Sequence, residues 1–213
     1  MKIKAGARSS PLSKAQFEEI RRALHPRLIL DPVWAESPGD RDRTTTLRDL
    51  EKTDFFTRDL DQLLLSGKIR IAIHSAKDLP EPLPAGLVLA ALTKGVGSQD
   101  SLVFRKGESL STLPSGSVIA TSSQRREDIV KRLCPNCVFT DLRGTIEERI
   151  AKLSTGEADG IVVAEAALIR LKLTHLNRIL LPGNTIPLQG RLAIVARSDD
   201  EEIQQIFHAL IPK

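Results

Sequence analysis

The chain has no tyrosine, one tryptophan and one methionine, and aromatic residues make up only 3% of its 213 positions. Proteins that read single-stranded nucleic acid stack bases on aromatic side chains, so that class lacks its usual platform here. Cysteine is nearly absent too. Cys134 and Cys137 are too few for a disulfide framework, and no second pair completes a zinc site. Long apolar runs are missing: Ala90 to Leu92 and Ile161 to Ala164 fall far short of the ~20 residues of a membrane-spanning helix. No charged segment followed by an apolar one opens the chain. Met1 leads straight into alternation (Ile3, Ala5 and Ala7 against Lys2, Lys4 and Gly6), which predicts a strand and no export signal. Together these absences point to a reducing cytoplasm. The histidines (His25, His74, His175, His208) are scattered without ligand spacing, so no metal centre is expected.

What is present is charge in an ordinary globular mixture: 41% hydrophobic and 27% charged residues, with 31 basic against 27 acidic side chains for a net +4. The arginines are dispersed and recur at element boundaries, forming no basic helix or stripe. That pattern favours a small anionic ligand over nucleic acid.

Strand-like and helix-like segments alternate, which predicts an α/β fold of mostly parallel sheets flanked by helices. Ile3–Ala7 is followed by a helix bearing Phe17, Ile20 and Leu24, with Ser10 as its N-cap and Pro11 at its first position. A helix over about Phe56 to Leu65, strand Ile69–Ile73 and strand Leu87–Ala91 come next. The pattern lapses from Thr93 to Asp100, which reads as a crossover. A second block holds strand Val118–Ala120, helix Gln124 to Leu133, strand Val138–Leu142, a helix with Ile146, Ile150 and Leu153, strand Ile161–Val163 and a helix from about Glu165 to Leu171. After a second crossover, strand Leu192–Ala196 and an amphipathic tail helix close the chain. Two crossovers predict two hinged lobes, 1–94 plus 188–213 and 95–187, with a ligand cleft between them. The charge-rich segment from about Ser37 to Asp54 reads as a mobile loop over that cleft.

Four junctions carry Arg, Ser, Thr, Lys or Asp between a strand end and a helix: Arg8/Ser10, Ser75/Lys77/Asp78, Thr121/Ser122/Ser123 and Arg143/Thr145. Ligands of parallel α/β sheets bind outside the carboxyl ends of the strands, where helix N-termini attract anions. Arg125, Arg126 and Arg149 fall in the first turns of two of these helices. Cations there oppose the helix dipole unless an anion sits beside them. Any one junction alone reads as a simple cap; four sharing basic residues point to carboxylate recognition.

The segments Gly6-Ala7-Arg8-Ser9-Ser10-Pro11-Leu12, His74-Ser75-Ala76-Lys77-Asp78-Leu79-Pro80, Ala120-Thr121-Ser122-Ser123-Gln124-Arg125-Arg126 and Leu142-Arg143-Gly144-Thr145 with Arg149 resemble, in order and spacing, the porphobilinogen deaminase (hydroxymethylbilane synthase) family. The resemblance covers nearly the whole chain. It implies a hinged, periplasmic-binding-protein-like fold and a transferase that joins four porphobilinogen units, with loss of ammonia, into a linear tetrapyrrole. Every ring bears an acetate and a propionate. The resemblance therefore implies carboxylate binding by Arg8, Arg125, Arg126, Arg143 and Arg149, aided by Lys77, Ser10, Ser75, Thr121, Ser122, Ser123, Gly144 and Gln189. It assigns catalysis to Asp78, whose position alone fits equally a turn residue before Pro80.

The sequence departs from the family in three places. It ends at Lys213, without the family's third domain and the cysteine that holds a dipyrromethane primer, so dipyrromethane bound without a covalent link is expected. The family's glycine-lysine-glycine pattern is missing near Lys52-Thr53-Asp54, and Leu188-Gln189-Gly190-Arg191 carries an arginine where a small residue is usual. Cys134-Pro135-Asn136-Cys137 reads as an ordinary loop with two thiols, not a substitute anchor. A monomer is expected. The competing readings are a non-catalytic binding module for pyrroles or another polycarboxylate and, more weakly, a nucleic-acid binder.

Overall fold

The computed structural model describes residues 1–41 and 54–210. They form two compact units, one of residues 1–41, 54–95 and 190–210, the other of residues 96–189. The first opens with β1 (Lys2–Arg8), α1 (Pro11–Leu24), β2 (Ile29–Ala35), α2 (Pro38–Arg41), a 3-10 turn (Asp54–Phe56), α3 (Arg58–Leu65), β3 (Ile71–Ser75), a second 3-10 turn (Ala76–Asp78) and β4 (Leu87–Leu92). The second comprises β5 (Asp100–Phe104), β6 (Val118–Ala120), α4 (Gln124–Leu133), β7 (Val138–Thr140), α5 (Ile146–Thr155), β8 (Gly160–Ala164), α6 (Glu165–Arg170) and β9 (Arg178–Leu180). The chain then returns to the first unit for β10 (Leu192–Arg197) and α7 (Glu201–Leu210).

The first sheet has the order β2-β1-β3-β10-β4. β1 runs parallel to β2 and β3, while β10 lies antiparallel to both β3 and β4. One reversed strand therefore sits among four that point the same way, so the sheet is mixed in its pairing and mostly parallel in direction. Alternation in β1 buries Ile3, Ala5 and Ala7, and the apolar face of α1 covers them with Phe17, Ile20 and Leu24. Ile71, Ile73, Ile194 and Phe207 complete this core. Ser10 caps α1, its Oγ accepting from the Ser13 N–H at 3.2 Å, and Pro11 opens the helix where a missing N–H costs nothing.

The second sheet repeats the arrangement, β7-β6-β8-β5-β9, with β5 as the lone reversed strand. Leu102, Ile119, Val130 and Val162 are fully buried in its core.

Three strands escaped the sequence reading. β2 contains Pro32, and proline argues against a strand except at a sheet edge, which is where β2 lies. β5 begins with the polar pair Asp100 and Ser101, and the crossover expected from Thr93 to Asp100 takes in its first residue, yet all five of its residues are buried. β9 has only three residues. Boundaries also moved, and β7 ends at Thr140, two residues short of the expected Leu142. α3 begins at Arg58 because Asp54–Phe56 turns separately, and β3 runs from Ile71 to Ser75, two residues later than the alternation suggested. Of the charged segment expected as a mobile loop, residues 42–53 lie outside the described residues. At its described flanks Arg41 donates to Asp59 at 3.0 Å and Arg58 to Asp54 at 2.7 Å.

Candidate functional site

In the first unit the expected site residues collect at the carboxyl ends of β1 and β3. Arg8 is the last residue of β1, and its guanidinium carbon stands 4.9 Å from the centre of the Phe56 ring, a cation–π distance. Ser75 ends β3 and accepts from the buried amide of Gln16 at 2.8 Å. Lys77 and Asp78 follow on the 3-10 turn, both half-buried. β10 is reversed, so its first residue, Leu192, lies opposite Ser75 and brings Arg191 to the same edge. The Arg191 carbonyl accepts from the Ala76 N–H at 3.0 Å, and its Nε donates to the Thr93 carbonyl at 2.5 Å. The turn that bears Asp78 is thus held by the strand returning from the second crossover. Ser10 spends its hydroxyl on α1, accepting the cap bond and donating to Ser13 Oγ at 3.0 Å.

His74, on β3 beside this edge, is fully buried. Burial, with Arg8 adding repulsion, pushes its imidazole down to about 4, so the ring is neutral at ordinary pH. Its Nε2 has no hydrogen-bond partner among the described residues.

In the second unit the expected residues gather at the carboxyl ends of β6 and β7. Thr121 is buried, with its N–H donating to the Thr140 carbonyl at 2.8 Å. Ser122 is a clamp: its Oγ donates to the Leu142 carbonyl at 2.9 Å and accepts the Leu142 N–H at 2.8 Å. Ser123 stands at the N-cap of α4, but its side chain makes no cap bond. Gly144 has φ +95°, and a Cβ there would come within 2.6 Å of Glu148 Oε2. That carboxylate closes a capping box on α5: Thr145 N–H donates to Glu148 at 2.7 Å, and Glu148 N–H to Thr145 Oγ1 at 3.3 Å. Arg149 Nε donates to the Gly144 carbonyl at 2.9 Å, and Arg143 precedes the same turn.

The cations in the first turn of α4 do have an anion beside them, and the protein supplies it. Asp100, the first residue of β5, is 1% exposed and pairs with both Arg125 and Arg126. Burial alone would raise its pKa, but Arg126 and Arg125 outweigh that and hold the carboxyl below its usual range. Gln189, also buried, ties the second crossover to the first, its amide donating to the Ser98 carbonyl at 2.7 Å and to Asp100 at 2.9 Å. Sequence reasoning missed Asp100 because it lay in the presumed crossover; the unbalanced arginines were the signal that could have found it.

The cysteines require a correction. The loop was expected to hold two thiols, whereas Cys134 and Cys137 are joined in a disulfide. The C-cap of α4 turns sharply there: Cys134 N–H bonds the Val130 carbonyl, and Cys137 N–H the Cys134 carbonyl at 3.2 Å. That turn brings the two Cα atoms to 5.7 Å, within reach of a disulfide. The pair lies at the start of β7, the end of the sheet opposite Ser122. Among the described residues no group of three or more His, Cys, Asp or Glu is arranged to hold a metal. No helix among them is long and apolar enough to cross a membrane.

The family model described as "Porphobilinogen deaminase, dipyromethane cofactor binding domain" matches residues 3–205. A probable porphobilinogen deaminase of Chlamydia muridarum is 42% identical over 197 residues, spanning 91% of this chain and 81% of that protein. The porphobilinogen deaminase of Streptococcus sanguinis is 37% identical over 218 residues, spanning 98% of this chain and 71% of the relative. Among solved structures, an ancestral cationic amino acid solute-binding protein matches with TM-score 0.61 at 14% identity, over 98% of this chain and 87% of its own. A methionine-binding protein matches with TM-score 0.59 at 15% identity, over 98% and 89%. These two likenesses bear on fold alone: α/β units of the kind found in periplasmic binding proteins.

Proposed function

The chain belongs to the porphobilinogen deaminase family, and on that premise we propose that it joins four porphobilinogen units head to tail, releasing ammonia, to give a linear tetrapyrrole for porphyrin and haem biosynthesis. The observation that carries this reading is the position of Asp78. A half-exposed carboxylate stands on a short turn at the strand edge that also bears Arg8, Lys77 and Arg191. An acid among cations suits a substrate that is anionic at its rim and becomes cationic at its reacting carbon.

Each addition breaks the C–N bond of an aminomethyl group, ammonia leaving with the electron pair, and forms a C–C bond to the next ring, which gives up a proton. Asp78 stabilises the positive charge that grows as ammonia departs and passes the proton on. In the first unit Arg8 and Lys77 bind acetate and propionate groups, and in the second Arg125, Arg143 and Arg149 do so. Ser75, Thr121, Ser123, Gly144 and Gln189 lie beside them. Ser10 and Ser122 serve the frame, through the cap and clamp described above, and Arg126 serves chiefly as the counter-ion of Asp100.

Dipyrromethane, with two carboxylates on each ring, fits this donor set. Arg125 Nε is buried and has no hydrogen-bond partner among the described residues, which leaves a cationic donor for an acceptor. When bound, dipyrromethane supplies the primer on which rings accumulate. Neither Cys134 nor Cys137 suits a covalent link to it, being joined to each other at the opposite sheet end. Guanidinium–carboxylate pairs, each a charge-assisted contact, hold its carboxylates. We place the reaction in the cytoplasm, in a monomer that takes small pyrroles and not nucleic acid.

The test is incubation with porphobilinogen. Ammonia release and a tetrapyrrole product are expected from the wild type, and Asp78→Ala should abolish turnover while retaining binding. A chain that binds porphobilinogen yet releases no ammonia, even with added dipyrromethane, contradicts the enzymatic reading and favours a binding module.

A further inference from the structure

Arg125 and Arg126 are adjacent in the first turn of α4, where two guanidiniums repel each other and both oppose the dipole. Asp100 resolves the conflict from a different element. One of its oxygens accepts from Arg126 Nε at 3.0 Å and Nη2 at 2.6 Å, and the other accepts from Arg125 Nη2. Arg126 spends its remaining nitrogen, Nη1, on the Val162 carbonyl at 3.5 Å, and its side chain is 12% exposed. Arg125 is more open, at 28%, with Nη1 on the Asn184 carbonyl at 3.0 Å and Nε unmatched among the described residues. The two cations are therefore unequal, and one carboxylate makes them so.

We propose that Asp100 is a positioning residue for anion recognition: it fixes Arg126 as an internal counter-ion and holds Arg125 as the cation that meets a substrate carboxylate. The proposal rests on the reading above, that polycarboxylate pyrroles bind at this edge. Neutralising Asp100 has two opposed effects. It raises the local net charge by one, which draws anions over a distance. It also releases two long side chains into many rotamers, so a ligand must pay for their ordering. Salt separates the two, because long-range attraction is screened beyond a Debye length of about 8 Å at physiological ionic strength, whereas misorientation is not. Positioning governs at high salt, and extra charge partly offsets its loss at low salt.

Calorimetric titration with porphobilinogen, at low and at high salt, tests this on wild type, Asp100→Asn and Asp100→Glu, alongside KM and kcat for ammonia release. At high salt Asp100→Asn should raise Kd and KM about tenfold with kcat little changed, the signature of lost uniform binding. The deficit should shrink at low salt, and Asp100→Glu should recover part of the affinity. Asp159→Asn is the control for general loosening, since Asp159 pairs with Arg105 and accepts the Val118 N–H at 2.8 Å elsewhere in the same unit. A folded Asp100→Asn protein with wild-type Kd at both salts overturns the proposal, as does an equal loss in Asp159→Asn. Should Asp100→Asn fail to fold, Asp100→Ser takes its place, and wild-type affinity in it at both salts overturns the proposal. A wild type that binds porphobilinogen without turnover sinks the enzymatic reading alone, leaving the comparison of affinities intact. One that binds none overturns both.

Discussion

Ser122 and Ser123 sit side by side in a motif that the family resemblance assigns wholly to the ligand, and the structure gives them different work. Ser122 Oγ joins the residues that follow β6 and β7, donating to the Leu142 carbonyl at 2.9 Å and accepting its N–H at 2.8 Å. β7 is three residues long and pairs only with β6, so this clamp extends a short ladder at an edge strand. Ser122→Ala removes both bonds at once. A net hydrogen bond contributes about 0.5–1.5 kcal/mol, and an orphaned buried group costs about 1–3 kcal/mol. Leu142 is 1% exposed, so water replaces the lost partners poorly, and the expected loss is about 2 kcal/mol. For a chain of this size that lowers Tm by about 4–8 °C. Ser123→Ala, which breaks no cap bond, should stay within about 0.5 kcal/mol of wild type. Urea and thermal unfolding read the stabilities; titration with porphobilinogen reads affinity, which Ser123→Ala should weaken and Ser122→Ala should not. Wild-type stability in Ser122→Ala, or an affinity loss confined to it, refutes the clamp.

The buried His74 should impose a pH dependence on stability. Its folded pKa of about 4 lies below the unfolded value of about 6.5, so the unfolded chain takes up the proton first. Stability is full above about pH 6.5 and falls by about 3 kcal/mol as pH drops to 4, whereas His74→Gln should flatten that window; equal slopes in urea melts of the two proteins would contradict it. Gly144→Ala combines a positive φ with an approach of 2.6 Å to Glu148, and should cost about 2 kcal/mol by strain and loss of the cap. An unshifted melting curve would show that the turn adapts. Cys134→Ser with Cys137→Ser should leave porphobilinogen turnover unchanged, because the pair lies away from the Ser122 edge. Wild type prepared in air should resist alkylation until reduced, and modification of both sulfurs beforehand would contradict the disulfide.

Periodicity made most of this fold legible. α4 and β6 fall on the residues that apolar spacing and turn chemistry marked, and Ser10 and Pro11 announced α1. What escaped was decided by tertiary placement. Pro32 hides β2 because a proline is tolerable only at an edge, and edge position is a property of the sheet, not of the seven residues. Asp100 and Ser101 look like loop, and only Arg125, Arg126, Gln189 and Glu165 make it possible to bury them. The same holds at the site. Strand-end positions located the arginines, serines and Asp78, since the carboxyl edge follows from strand direction. Which hydroxyl clamps the backbone and which stays available depends on what folds against it, so Ser122 and Ser123 were indistinguishable in sequence.

The two units share a strand order, and the shared feature that matters chemically is the reversed strand. In each, a crossover delivers one strand against the grain of the others, so its first residue arrives at the edge where the parallel strands end: Leu192 opposite Ser75, and Asp100 opposite Ala164. One entry brings a cation, Arg191, to that edge; the other brings an anion that consumes part of the positive charge already there. Counting arginines from sequence therefore overstates what the second unit can offer a ligand. Of the adjacent pair on α4, one charge is cancelled by Asp100, and the net +1 that remains is borne by the more open partner, Arg125. On the function proposed above, a polyanion that grows by one ring at a time is better served by such a tempered edge than by every cation at full strength, since each uncancelled pair would have to be broken when the chain shifts.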